Sequence, residues 1–186
     1  MRLFVAIEIP ADVRGALAAF LKELRGIAPL AKWVRAENLH LTLKFLGETD
    51  SSRLGAISKA LCSVRSPHPV DAAVSGLGFF PEDRRSRVFW AGLEASPNLK
   101  TLAADIDHAL HKVGFPLEER PFSPHLTLAR FNPPGTPPKL ASLVKENAAR
   151  GFGSLSESQF HLIESKLKPT GAEYTTLQPF PFVAET

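Results

Sequence analysis

Apolar residues recur at helical spacing in four stretches of the chain, and the stretches between alternate or run apolar as strands do. Val13, Leu17, Phe20, Leu21 and Leu24 share one face of a helix that opens at Pro10-Ala11-Asp12 and ends at Gly26 and Pro29. Leu54, Ile57, Leu61 and Val64 predict a second helix, with N-cap candidates in Asp50-Ser51-Ser52. Leu99, Leu102, Ile106, Leu110 and Val113 predict a third, begun at Ser96-Pro97-Asn98 and closed by Gly114. A short fourth runs from Leu140 to Ala149 and stops at Gly151. Strands are expected over 2–9, 33–46, 70–80, 88–93, 121–130, 159–167 and 175–182. Helix, His-containing strand, helix, then strands: that order occurs twice. The expected organisation is one bilobal domain spanning 1–186, two lobes sharing a core rather than independent domains.

Composition agrees with a folded chain of mixed secondary structure. Of 186 residues 44% are apolar and 22% charged, enough apolar material for a substantial core. Sixteen prolines and twelve glycines point to many strand-to-loop transitions and away from a helical bundle. A net charge of +3 permits an anionic partner without requiring one, because affinity follows where charges cluster. The single Cys62 excludes an intrachain disulfide and a cysteine-based zinc site. The apolar run after Arg2 ends at Glu8, too short for a signal-peptide core. Nothing approaches the ~18 apolar residues of a membrane span. A cytoplasmic location with no membrane association is the expectation.

The chemistry concentrates in a repeated tetrapeptide. His40-Leu41-Thr42-Leu43 recurs as His125-Leu126-Thr127-Leu128, in equivalent places of the duplication. On a strand, residues i and i+2 share a face, so each His projects with its Thr while the leucines point behind. A pseudo-two-fold axis between lobes would bring both His-x-Thr faces into one cleft. Imidazole titrates near 6.5, so two of them supply a base and an acid together at neutral pH. Two hydroxyls and an imidazolium suit the non-bridging oxygens of a phosphoryl group. A zinc site wants further ligands at matched spacing, and none is evident. Phosphodiester chemistry without a metal is the reading these residues favour.

At these motifs the chain resembles the two-histidine phosphoesterase superfamily, and within it the RNA 2′,3′-cyclic phosphodiesterases historically called 2′-5′ RNA ligases. The likeness runs through Arg2 to Ile7, Trp33 to Gly47, Arg84 to Trp90, Pro121 to Arg130, and Leu162 to Leu167, Gly171 to Leu177 and Phe180 to Phe182. The resemblance implies an α+β fold with two antiparallel sheets flanking a central cleft and helices outside. It implies hydrolysis of a ribose 2′,3′-cyclic phosphate to a 2′-phosphate, with no cofactor and no metal. His125 would activate water and His40 would protonate the departing 3′ oxygen, the roles exchanging for strand joining. The symmetry of the copies leaves that allocation open. Thr42 and Thr127 would hold phosphate oxygens. The implied partners are RNA with a 2′,3′-cyclic phosphate end, tRNA fragments among them, or cyclic nucleotides, bound by a monomer. A 2′-5′ ligase, a 2′-5′ phosphodiesterase and a non-catalytic RNA-end binding module are the alternatives.

Other residues carry less. The resemblance places Arg130 near phosphate and nucleobase; a strand-end surface arginine is the other reading. Phe45 matches a base-stacking aromatic, yet strict alternation puts it with Leu41 and Leu43 in the core, so stacking requires a twist or bulge after Thr42. Arg84, Arg85 and Arg87 form a loop cluster that could meet RNA phosphates or form a solvated turn with Glu82 and Asp83. His108 and His111 read as exposed helix residues, His68 as a loop residue, His161 as a strand residue and Cys62 as a small buried hydrophobe.

Overall fold

The amphipathic stretches become helices where an apolar sheet face can receive them. A computed structural model describes residues 1–82, 85–169 and 171–182. The order is β1 (Arg2–Glu8), α1 (Ala11–Arg25), β2 (Lys32–Trp33), β3 (His40–Glu48), α2 (Leu54–Leu61), β4 (Val70–Phe80), β5 (Val88–Ala95), α3 (Asn98–His111), β6 (His125–Arg130), α4 (Pro138–Glu146), β7 (Gly151–Glu157), β8 (Gln159–Lys168) and β9 (Gly171–Pro181). All five apolar positions expected on α1 are buried, as are Leu99, Leu102, Ile106 and Leu110 on α3. Val64 and Val113 lie just past the ends of α2 and α3 and still pack on the core.

The strands form one curled antiparallel sheet in the order β7-β4-β5-β6-β3-β1-β8-β9, with β2 added beside β6. Its two antiparallel halves, β3-β1-β8-β9 and β6-β5-β4-β7, meet at a single bridge, Leu41 opposite Leu126. The duplication is interlocked. β4 follows the first His strand in sequence but pairs with β5 in the other half, and β8 follows the second His strand but pairs with β1. Helices cover one face, α1 against β7, α3 against β3 and α2, and α4 against β4. The apolar cluster beneath them draws on both halves, including Val5, Leu41, Phe89, Leu126 and Leu162.

Several elements differ from the sequence pattern. The stretch 33–46 is broken by a 3₁₀ turn at Ala36–Asn38, so the first His strand starts at His40. The second starts at His125 rather than residue 121, since Pro121 and Pro124 have no N–H to give a ladder. β7 is an unexpected strand. Its Phe152 and Leu155 are buried while glycines and serines fill most other positions, which removes the alternation that marks a strand. Cys62 is exposed, because α2 ends at Leu61, one residue before it. Lys44 is buried and donates hydrogen bonds to Asp107 of α3 and, at 2.8 Å, to the Pro116 carbonyl, with the Glu118 carboxylate 3.6 Å away.

Candidate active site

Leu41 and Leu126 occupy the same position in the two motifs, so their pairing places the pseudo-two-fold axis at that bridge. Carrying the antiparallel register one residue either way sets His40 opposite Thr127 and Thr42 opposite His125. All four then lie on the face away from Leu41 and Leu126, which are fully buried. Directly opposed residues stand about 5 Å apart and diagonal ones about 7–8 Å, so the two imidazoles flank a space the size of a phosphate group.

The ring orientations follow the same symmetry. His40 Nδ1 lies 2.6 Å from the Asn38 carbonyl, and His125 Nδ1 lies 2.8 Å from the Ser123 carbonyl. A carbonyl only accepts, so each Nδ1 carries a hydrogen and each neutral ring keeps its lone pair on Nε2. Asn38 is itself anchored, its amide donating to the Ala172 carbonyl at 2.7 Å. The His40 ring rests against Phe4 at 4.7 Å between centroids and meets the edge of Tyr174 at 5.3 Å. Phe80 stands edge-on to His125 at 5.1 Å. Burial pushes the His40 pKa below 6.5; the Asn38 carbonyl opposes this, and the positive charges of Arg130 and His125 reinforce it. Burial also raises the Tyr174 pKa against the pull of Arg130 and Arg2, so its phenol stays protonated.

A bulge in each strand decides which face Phe45 and Arg130 take. Along β1 and β3 the register passes from Ala6 opposite Thr42 to Val5 opposite Lys44, leaving Leu43 unpaired. Along β5 and β6 it passes from Trp90 opposite Thr127 to Phe89 opposite Ala129, leaving Leu128 unpaired. The extra residue reverses the alternation. Lys44 and Ala129 therefore turn into the protein, while Phe45 (54% exposed) and Arg130 emerge on the His-Thr side. Phe45 sets its ring tilted at 46° to that of Phe4, the neighbour of His40, with 6.0 Å between centroids. The two residues are pseudo-symmetry mates, a ring in one copy and a guanidinium in the other.

Sequence reasoning missed the Asn38 and Ser123 carbonyls and the aromatic residues Phe4, Phe80 and Tyr174. The carbonyls had a signal, since both lie two residues before their histidine; the aromatics had none in spacing. Arg85 and Arg87 are exposed in the loop between β4 and β5, whereas Arg84 and Asp83 lie outside the described residues. His108 and His111 are exposed on α3, each with Nδ1 against a backbone carbonyl. His161 is buried, and its Nδ1 has no partner among the described residues. Those residues hold no group of three or more His, Cys, Asp or Glu placed to bind a metal ion. No described helix is long and apolar enough to cross a membrane.

A curled, internally duplicated sheet with paired His-x-Thr faces defines a phosphoesterase of the two-histidine class. The chain belongs to the family described as LigT like Phosphoesterase, whose model matches residues 7–90 and 93–174. A relative from Archaeoglobus fulgidus, named RNA 2′,3′-cyclic phosphodiesterase, is 35% identical over 180 residues, covering 97% of this chain and 99% of the relative. One of the same name from Thermotoga maritima is 33% identical over 183 residues, 98% and 96% covered. Among solved structures, TT0787 of Thermus thermophilus superposes with a TM-score of 0.83 at 31% identity over the full length of both chains. Escherichia coli LigT complexed with 3′-AMP gives 0.75 at 28% identity, with 97% of each chain covered.

Proposed function

We propose that the protein hydrolyses the 2′,3′-cyclic phosphate at the end of an RNA, leaving a 2′-phosphate and a free 3′ hydroxyl, without a metal ion. The observation that carries this reading is the pair of imidazoles, each held through Nδ1 by the carbonyl two residues earlier, with both Nε2 atoms left for the cleft. His125 Nε2 takes a proton from water as its oxygen bonds to phosphorus. The P–O3′ bond breaks, and protonated His40 gives its proton to O3′. Thr42 and Thr127 hold the non-bridging oxygens, and Arg130 adds positive charge as negative charge builds on the phosphoryl group. Burial lowers the His40 pKa, and a bound phosphate anion raises it, the direction an acid needs. Phe45 offers its exposed ring to the terminal base. The relatives' shared name supports the substrate class.

The test is hydrolysis of an oligonucleotide with a 2′,3′-cyclic phosphate end in excess EDTA, with assignment of the hydroxyl that keeps the phosphate. A 2′-phosphate and loss of at least ~100-fold in His40→Ala and His125→Ala are expected, the scale of general acid-base catalysis. Full activity of both variants, a 3′-phosphate product, or abolition by EDTA would overturn the proposal. Ligated product in place of hydrolysed ends would reassign the reaction to strand joining.

A further inference from the structure

Trp90 and Phe80 are large aromatic residues that lie outside both apolar clusters formed by the described residues. Trp90 pairs with Thr127 on one side and Gly78 on the other, so its indole projects on the His-Thr side of the sheet. It lies across the backbone of β4. A Cβ on Gly78 would stand 2.2 Å from Cζ2 and 2.5 Å from Cη2 of the indole. On its own strand, a Cβ on Gly92 would meet Cζ3 at 3.4 Å and the Ser75 carbonyl at 2.8 Å. Neither glycine has a positive φ, so it is space for the ring, not backbone conformation, that excludes a side chain at Gly78. The indole N–H is buried without an acceptor among the described residues, so what the part-exposed ring shows the cleft is carbon. Phe80 packs beside it at 5.1 Å and continues to the edge of His125. The space in front, about 400 Å³, is lined in part by Phe80, Trp90, Gly92, Ser123, Pro124 and His125, with the Glu94 carboxylate also on its wall.

We propose that the Trp90 indole, laid flat over Gly78, is a stacking platform for the penultimate nucleobase of an RNA whose terminal cyclic phosphate occupies the His40–His125 centre. This rests on the function proposed above and deepens it to a substrate at least two nucleotides long. The terminal base takes Phe45 on the β3 side. The strand leaves that nucleoside through its 5′ oxygen. Phe4 and Tyr174 are taken up against the His40 ring, and the aromatic surface beside His125 is on the β5 side. Stacking tolerates any base, because each has a π face.

Two measurements test it. In a Trp33→Phe protein, Trp90 is the sole tryptophan. A dinucleotide ending in a 2′-phosphate should quench its emission, and a mononucleoside 2′-phosphate should quench it far less. In kinetics, Trp90→Leu, and Gly78→Ala whose new methyl displaces the indole, should each lower kcat/KM for a dinucleotide 2′,3′-cyclic phosphate about tenfold more than for a mononucleoside one. Equal quenching by both ligands, or equal loss on both substrates, would overturn the platform and leave Trp90 a structural residue. Differential quenching without turnover of either substrate would uphold the platform and sink the hydrolase. Turnover with no difference in quenching would do the reverse.

Discussion

Lys44→Met removes a buried ammonium from the carboxylate and the carbonyl it serves. The Lys44 side chain is 2% exposed and that of Asp107 is 15% exposed, so the pair is largely out of water. Methionine keeps the apolar stem, and the loss is electrostatic. Among the described residues Asp107 keeps the hydrogen bond from the Glu118 backbone N–H at 3.1 Å and the charge of His108, and the Pro116 carbonyl loses its donor. Breaking a buried pair from one side costs about 3–5 kcal/mol. The residual exposure of Asp107 places this case near the lower end, about 3 kcal/mol. For a chain of this size that is roughly 6–12 °C in Tm. The pH dependence has a definite sign. Burial alone would raise the Asp107 carboxyl, but hydrogen bonds from Lys44 and from the Glu118 N–H outweigh it and hold the carboxyl below 3.8. The wild-type pair therefore contributes fully above that ordinary value, and its contribution fades as pH falls through the lowered one. In Lys44→Met the carboxyl shifts upward instead, so acid neutralises the orphaned charge and the gap to wild type narrows between pH 7 and about pH 4. Calorimetry of wild type, Lys44→Met and Lys44→Met/Asp107→Leu across that range is the assay, with the double variant recovering most of the loss. A Tm within about 2 °C of wild type at pH 7, or a gap that acid does not narrow, would refute the reasoning.

Other consequences follow from the site. Burial of His40 puts its NMR titration midpoint below 6.5 in the free protein, and Phe4→Ala, which uncovers the ring, moves it upward; a midpoint at or above 6.5 in the wild type contradicts this. Phe45→Ala should cut kcat/KM on a cyclic-phosphate RNA end about tenfold with Tm unchanged, since the ring is exposed, and Phe45→Tyr should retain activity. Arg130→Ala should lose more activity than Arg130→Lys in steady-state kinetics, because the lysine keeps the charge but not the planar fork.

The helices were legible because burial imposes a period: every apolar position marked on α1 is in the core. The repeated His-x-Thr was legible because chemistry fixed residue type and spacing together. The strand β7 was not, since an edge strand of glycine and serine has little to alternate. The emergence of Phe45 and Arg130 depends on unpaired Leu43 and Leu128, and a bulge is a property of two strands in register rather than of one stretch of sequence. Period-two reading alone would have buried both. The exchange of β4 and β8 between halves was hidden for the same reason, because it is decided by which edges find each other.

That exchange bears on how a duplicated site can be asymmetric. A single repeat folding alone would leave the edge of its last strand without its partner, and two identical copies would satisfy each other only by trading that strand. Such a pair would carry one residue type at both positions equivalent to Phe45 and Arg130. Covalent fusion of the copies removes that constraint. An aromatic ring can then stand on one side of the site and a guanidinium on the other, around two histidines that share only the way each Nδ1 is held.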